Sequence, residues 1–503
     1  MVRRTGADYR TLVSALKRHR EGMTVADMTA RTALPLHSVR ELVPRAADEY
    51  NARLKVSGSG EILYSFPGNF KSRYRGFGAS FGSFSEKALS ALGSFFSSAF
   101  KVWIMIMLAG YFVLFILLTL AAVFLTVAAS GSSGRRGGRR SSGGQGSAFF
   151  ISRMTSMIFR FWFYSSLGGG GERGYSRNYP LRGSAGGRGG DERPFYKKVF
   201  SFVFGDGDPN KAWEKTEAIQ VIGYLRKNNG VISLPEFAIL TGMNIQKAER
   251  EILSYCVNYG GMPEATEDGT VIYRFDSLLL AAEKETAVKQ DAVKSRWKFS
   301  ANTDKTNTAL TFVNLANLGF GCYFLYFVLN LDAMRAGRII AGSFLFRFVN
   351  NFLALHGIPP APSITIVLGI VPIAFSLLFW GIPALRKGRI KKKNAAITLE
   401  NRRKKGFARI WDKPLAVTEE DLRNAVRTAG EGEGAEPEGN ENTNRIIKEM
   451  GVYSIPEAAY DERGRLVYSF TGLDEEKKAL ETYRAGVDKS KHDLGKIVFD
   501  SGA

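Results

Sequence analysis

Residues 102–129 run for 28 positions without a charged side chain, about 42 Å of helix at 1.5 Å per residue. A helix of that length and composition belongs in the hydrocarbon core of a bilayer, where it satisfies its own backbone groups. Residues 308–331 and 363–385 repeat the pattern, the second with Pro372 and Pro383 inside it. A multi-pass membrane protein is therefore expected. Residues 84–101 read as an amphipathic lead-in to the first span. Residues 338–355, carrying Arg347, Asn350 and Asn351 ahead of Pro359-Pro360, read as an interfacial or re-entrant segment. Residues 149–167 stay open between an interfacial helix and a further span. They are apolar and aromatic, but Arg153 and Arg160 share one helical face and are costly at membrane depth.

Between the apolar segments one phrase recurs: Glu61-Ile-Leu-Tyr-Ser-Phe66, Thr270-Val-Ile-Tyr-Arg-Phe275 and Arg465-Leu-Val-Tyr-Ser-Phe470. Each copy follows a glycine-containing turn, and the alternation suits a strand with one buried face. Tyr64 and Phe66, Tyr273 and Phe275, and Tyr468 and Phe470 are thus read as hairpin core residues. Upstream of each phrase stand helical patterns whose second helix begins at a capping hydroxyl: Thr24, Ser233 and Thr418. Cap and tyrosine are 40 residues apart in the first two copies and 50 in the third. The excess matches the acidic, Gly-rich insertion 431–440. First helices are expected at 9–19 and 212–227, and third helices at 36–49, 245–259 and 444–453. Pro263-Glu-Ala in the second copy is echoed by Pro456-Glu-Ala in the third. Three helices and a hairpin make a winged-helix-like module. The expected fold class is mixed: helical membrane spans plus three α+β winged-helix-like modules.

The formal charge is +21, which suggests nucleic acid until the charges are located. Residues 129–193 hold eleven arginines against three acids, and residues 386–409 hold eleven Lys/Arg against Glu400. Both segments flank apolar runs, so their first reading is membrane topology and anionic lipid. The lipid-facing candidates are Arg135, Arg136, Arg139 and Arg140, together with Arg386, Lys387, Arg389, Lys391, Lys392 and Lys393. Module by module, residues 1–66 carry 11 basic and 7 acidic side chains, residues 210–277 carry 7 and 9, and residues 411–471 carry 7 and 13. A duplex would repel the third module. Only the first keeps nucleic-acid candidates, Arg40, Arg45, Arg53 and Lys55, and nucleic acid is not the expected partner.

No phosphate-binding glycine loop, zinc spacing or catalytic triad order is present, so no catalytic residue and no cofactor is expected. Asp206, Asp208, Asn210 and Glu217 occupy positions 1, 3, 5 and 12 of a calcium-type loop. Lys211 stands where that loop needs glycine, and Pro209 constrains the path. The competing reading makes Asp208 or Asn210 the cap of the following helix. Cys256 and Cys322 are too few for a disulfide framework or a metal cluster and fit a reducing compartment. The polar start, Met1-Val-Arg-Arg, predicts no cleavable signal peptide.

Val199-Phe-Ser-Phe-Val-Phe-Gly-Asp-Gly-Asp-Pro-Asn210, Asn228-Asn-Gly-Val-Ile232 and 263–275 resemble an uncharacterised multi-span membrane protein family of cyanobacteria, chloroplasts and some other bacteria. Asn69-Phe-Lys-Ser-Arg-Tyr-Arg75 and the paired C-terminal spans extend the resemblance. It implies membrane location and no activity. Some members carry an iron–sulfur biogenesis label, but two isolated cysteines do not ligate a cluster.

The expected division is module 1 at 1–68, lead-in and span at 84–129, Gly/Arg-rich linker at 130–195 and module 2 at 196–280. A charged linker at 281–305, a membrane hairpin at 308–386, module 3 at 397–471 and a tail at 472–503 follow. The expected role is a non-enzymatic membrane scaffold or assembly factor, working through protein–protein docking with membrane lipid and protein partners. A membrane-tethered DNA-binding regulator using module 1 and a transporter or channel component are the rivals. The basic run after the last span predicts a cell (inner) membrane location with modules 2 and 3 cytoplasmic.

Overall fold

The computed structural model describes residues 2–19, 21–73, 99–100, 103–104, 106–131, 193–282, 292–428, 441–488 and 492–501. The chain divides into two compact units. One comprises Met1–Ser80, Asp208–Arg296 and Lys393–Ala503, the other Phe81–Gly207 and Trp297–Lys392. Residues 149–167, Arg135, Arg136, Arg139 and Arg140, and the insertion 431–440 lie outside the described residues.

The first unit holds three sets of helices, each ending in an antiparallel hairpin. Helices Val2–Leu16, Val25–Thr32 and Leu36–Glu49 precede β1 (Arg53–Ser57) and β2 (Ile62–Ser65). Helix Trp213–Lys227, β3 (Val231–Ser233) and helices Leu234–Thr241 and Ile245–Tyr259 precede β4 (Met262–Ala265) and β5 (Val271–Arg274). In the third set β6 (Val417–Thr418) follows helix Val371–Asp412. Helices Glu419–Thr428 and Glu441–Gly451 then lead to β7 (Glu457–Tyr460) and β8 (Leu466–Ser469).

The three tyrosines occupy the same ladder position. Tyr64 bridges Met23, Tyr273 pairs with Ile232 and Tyr468 pairs with Val417. In each case the partner immediately precedes the capping residue. A one-residue slip would turn tyrosine and phenylalanine out of the core, so burial pins the register. Phe66, Phe275 and Phe470 are all buried. The Pro-Glu-Ala echo does not survive: Pro263 faces Tyr273, but Ala458 faces Tyr468, so the two tripeptides are offset by two residues.

The first helix of module 1 starts well before residue 9, and the third helix of module 3 ends at Gly451. Residues 472–488 and 492–501 hold regular elements rather than a tail. Helix Thr471–Gly486 buries Leu480 against Val231 and Ile272. Strand β9 (Ile497–Asp500) pairs antiparallel with β1, giving the sheet order β2-β1-β9.

One continuous apolar core links the modules. Val221, Ile222, Phe237 and Phe275 of module 2 share it with Phe407, Leu422, Ile446 and Phe470 of module 3 and with Ala30 and Leu36 of module 1. Gly242 shows how tight this packing is. It ends helix Leu234–Thr241 at φ +73°, and a Cβ there would lie 2.5 Å from the Glu400 carbonyl oxygen. Any larger residue is strained twice over.

Three helices among the described residues are long and apolar enough to cross a membrane: Ile106–Leu125, Asp304–Leu329 and Pro360–Asp412. Two of them carry π turns, Ile106–Gly110 and Ile364–Ile370. In the second unit Asn314 and Asn317 are fully buried. Asn317 Nδ2 donates to the Leu108 carbonyl within the first π turn, and Asn314 Nδ2 donates to the Ser376 carbonyl. A π turn disturbs the regular backbone ladder, and an amide side chain from a neighbouring helix re-satisfies it. Gly321 lets its helix approach Gly369 and Ile373, with room for no Cβ.

Candidate functional site: capped carboxylates at the module seams

Each module begins its second helix with all or half of one device, a hydroxyl cap answered by a carboxylate three residues on. Thr24 Oγ1 accepts the Asp27 amide at 3.2 Å, and Asp27 Oδ2 accepts the Thr24 amide at 3.1 Å. Glu236 Oε2 accepts the Ser233 amide at 3.2 Å, and Thr418 Oγ1 accepts the Asp421 amide at 3.1 Å. A carboxylate on the first helical turn is favoured by the helix dipole and satisfies an orphan backbone donor.

Each of these carboxylates also takes an arginine. Asp27 pairs with Arg226 of module 2 at 3.2 Å, both nearly buried, and its Oδ2 accepts the Ala282 amide. Glu236 of module 2 pairs with Arg484 of helix Thr471–Gly486 at 2.6 Å, and Arg484 also donates to the Val231 carbonyl. Asp421 pairs with Arg409 at 2.9 Å. Burial alone would raise the Asp421 carboxyl, but the Arg409 and Thr418 bonds prevail and hold it low. Glu449 is likewise held low by Arg403 and Arg445 against the opposing effect of burial.

Two seams follow. Between modules 1 and 2, the Asp27–Arg226 pair is joined by Tyr259, whose hydroxyl donates to the Ala33 carbonyl, and by Leu36 packed into the shared core. Leu36 opens the third helix of module 1 and Tyr259 closes that of module 2. Between module 2 and the C-terminal helix, the Glu236–Arg484 pair, with Tyr224 of module 2 donating to the same carboxylate, is joined by the Tyr483 hydroxyl, which donates to Glu264 at 2.7 Å. Glu476, buried here, accepts the Tyr453 hydroxyl at 3.2 Å. Burial pushes its carboxyl up to about 7.

The chain is 25% identical over 413 residues to an uncharacterised chloroplastic protein of Arabidopsis thaliana. The match covers 78% of this chain and 70% of that protein. No family model and no solved structure matches. The relative is consistent with an uncharacterised family of plants and cyanobacteria.

The residues singled out from sequence fall into different settings. Asp206 accepts the Ser201 hydroxyl and the Ala301 amide. Asp208 accepts the Asn210 amide, Asn210 exchanges hydrogen bonds with Ser295, and Glu217 accepts the Trp213 indole N–H. Among the described residues no group of three or more His, Cys, Asp or Glu side chains is arranged to hold a metal, and the calcium-type grouping is not formed. The spacing was right for a loop, but Trp213–Lys227 is helical and turns Glu217 toward its own first turn.

Arg386 is corrected as well. It is not lipid-facing: it donates to the carbonyls of Ser201, Phe202 and Phe299 and lies over the Phe299 ring. Those carbonyls include the orphans at the end of helix Phe195–Phe204, which an arginine satisfies well. Lys387, Arg389, Lys391, Lys392 and Lys393 are exposed. Arg40, Arg45 and Arg53 are also exposed, Arg45 over the Tyr9 ring, whereas Lys55 pairs with Asp500 of β9.

The seam residues themselves were not anticipated. Their signal was present: Thr24-Val-Ala-Asp27, Ser233-Leu-Pro-Glu236 and Thr418-Glu-Glu-Asp421 share one capping spacing. Two of the arginines that answer them, Arg226 and Arg484, come from distant segments and carry no local mark, whereas Arg409 precedes Asp421 within module 3.

Proposed function

We propose that this chain is a non-enzymatic integral membrane scaffold or assembly factor whose three winged-helix-like modules dock partner proteins at the membrane surface. The observation that carries this reading is the outer face of helix Ile245–Tyr259. A DNA reader needs cations there, yet Leu253 is 50% exposed and Val257 79%, with Met262 of β4 68% exposed just beyond. Exposed apolar side chains grouped in this way mark a protein contact. The seams support it too, because the third helices of modules 1 and 2 meet each other. The recurring Tyr register and capping sites favour descent of the modules from one repeated unit. The chain is read as belonging with the Arabidopsis protein in one family of plants, cyanobacteria and other bacteria.

For location, the reading is a multi-pass cell (inner) membrane protein with all three modules on the cytoplasmic face. The exposed run Lys387, Arg389, Lys391, Lys392 and Lys393 contacts anionic lipid. The three apolar helices and this basic run support it.

The test is affinity purification of the full chain from detergent extracts, with mass spectrometry of co-purifying proteins, beside a Leu253→Glu/Val257→Glu variant. The scaffold reading expects a reproducible partner set that the variant loses while its thermal unfolding is unchanged. An identical set in both, or none in either, overturns it. Exposed Arg40, Arg45 and Arg53 keep a DNA-binding second reading in view. Salt-dependent duplex binding by the full chain that is lost in Arg40→Ala/Arg45→Ala would favour that rival.

A further inference from the structure

On the membrane reading proposed above, on which this inference rests, the connection between Asp304–Leu329 and Pro360–Asp412 joins two apolar helices, so its ends lie at one membrane face. Helix Phe344–Leu355 is its main element. Phe346 and Val349 are buried with Phe324, Phe327 and Leu368, against the last turns of one span and the first turns of the next. Tyr323 fixes this placement: its hydroxyl donates to the Gly342 carbonyl at 2.8 Å and accepts the Phe346 amide at 3.0 Å. The helix therefore sits at interfacial depth, with its other side turned away from the bundle.

On that other side lies a groove of about 330 Å³, lined by Ile340, Ser343, Phe344, Arg347, Phe348 and Asn351. It has two chemistries. Ile340, Phe344 and Phe348 make an apolar wall, Ile340 and Phe344 being exposed. Arg347 and Asn351, one helical turn apart, make a polar end. Arg347 is exposed and forms no ion pair among the described residues, unlike Arg335 nearby, which pairs with Asp332. The whole connection, residues 330–359, carries three arginines against one aspartate.

We propose that this groove binds an anionic phospholipid, its phosphodiester on Arg347 and Asn351 and the start of an acyl chain along Ile340, Phe344 and Phe348. A guanidinium matches a phosphodiester in a two-pronged hydrogen bond that a neutral partner does not reproduce. The aromatic wall beside it answers a molecule that is apolar immediately next to its charge. A free phosphate would leave the apolar wall unused. The volume fits a headgroup and the first part of a chain, at the small end of the ~300–1,000 Å³ typical of ligand sites.

The full chain, purified in detergent and stripped of lipid, is titrated with phosphatidylglycerol or phosphatidylcholine of matched chains and followed by native mass spectrometry. Phosphatidylglycerol should bind about tenfold more tightly than phosphatidylcholine, because both present a phosphodiester but the choline cation of the second offsets the charge that Arg347 meets. Arg347→Gln should erase that preference and Arg347→Lys should keep most of it. Phe344→Ala should weaken both lipids alike, and Arg335→Gln should change nothing. Equal binding of the two lipids, an unchanged preference in Arg347→Gln, or an equal loss in Arg335→Gln overturns the assignment. So does glycerol 3-phosphate binding as tightly as phosphatidylglycerol, which would make this a soluble-phosphate site.

Discussion

Glu236 accepts the Ser233 amide, the Tyr224 hydroxyl and two guanidinium nitrogens of Arg484, while only 4% exposed. A carboxylate that deep is tolerated because every lone pair is met. Removing the arginine leaves the charge buried and half satisfied, which costs about 3–5 kcal/mol. Arg484→Met should lower unfolding stability by about that much in denaturant titrations of the detergent-solubilised chain, followed by tryptophan fluorescence. Glu236→Gln/Arg484→Met should lose less than Arg484→Met alone, since the stranded charge is gone. Glu476 makes the opposite prediction in pH. Burial raises its carboxyl from 4.5 to about 7, so the folded chain binds a proton there that the unfolded chain has released. Its burial costs least below pH 4.5, where both states are protonated, and stability falls as pH rises from about 4.5 to about 7. Above that the penalty is constant, about 3 kcal/mol by the size of the shift. Glu476→Gln should flatten this part of the stability profile; an unchanged slope would show that another group carries it.

At the scale of elements, the parts legible in the sequence are those with local causes. Helix Ile245–Tyr259 runs between Asn244, whose side chain caps Lys247, and Gly260 in the left-handed conformation at φ +70°. Both signals lie within a residue of its ends, and its bounds could be read directly. The Tyr-x-Phe strands were legible for the same reason, through period-two alternation. Strand β9 was not. Its bonds to β1 cross more than 400 residues, with the Leu54 amide donating to Ser501 Oγ and the Ser501 amide to the Leu54 carbonyl, both at 2.9 Å. Ile497, Val498 and Phe499 are all exposed, so no burial pattern announces the strand. Pairing rather than packing holds it. A chain ending at residue 493 should therefore keep its module cores but lose protection at the Leu54 and Gly58 amides, which donate to Ser501 and Lys496. Hydrogen exchange should report faster exchange there and little change at Val39 and Leu42 in the core of the same module.

The whole molecule is constrained by the way one unit draws on three separated stretches of chain. Asp27 meets Arg226, Lys55 meets Asp500 of β9, Asn229 donates to the Arg484 carbonyl, and Phe237 shares a core with Phe470, so the first, second and third modules share one compact body. No bilayer can pass between groups in hydrogen-bond contact. Modules 2 and 3 are separated by two apolar helices, Asp304–Leu329 and Pro360–Asp412, and on the membrane reading proposed above two crossings return the chain to its starting face. Modules 1 and 2 are separated in the described residues by one, Ile106–Leu125. On the membrane reading proposed above, the same parity calls for an even number of crossings in that interval. Single cysteines at Ser59, in the turn of module 1, and Asp268, in the turn of module 2, test it once Cys256 and Cys322 are replaced by alanine. In sealed, oriented vesicles a membrane-impermeant maleimide should label Ser59→Cys and Asp268→Cys from the same face and neither from the other. Labelling from opposite faces would mean that the buried Asp27–Arg226 pair does not form in the membrane-inserted protein, and Asp27→Asn would then leave stability unchanged.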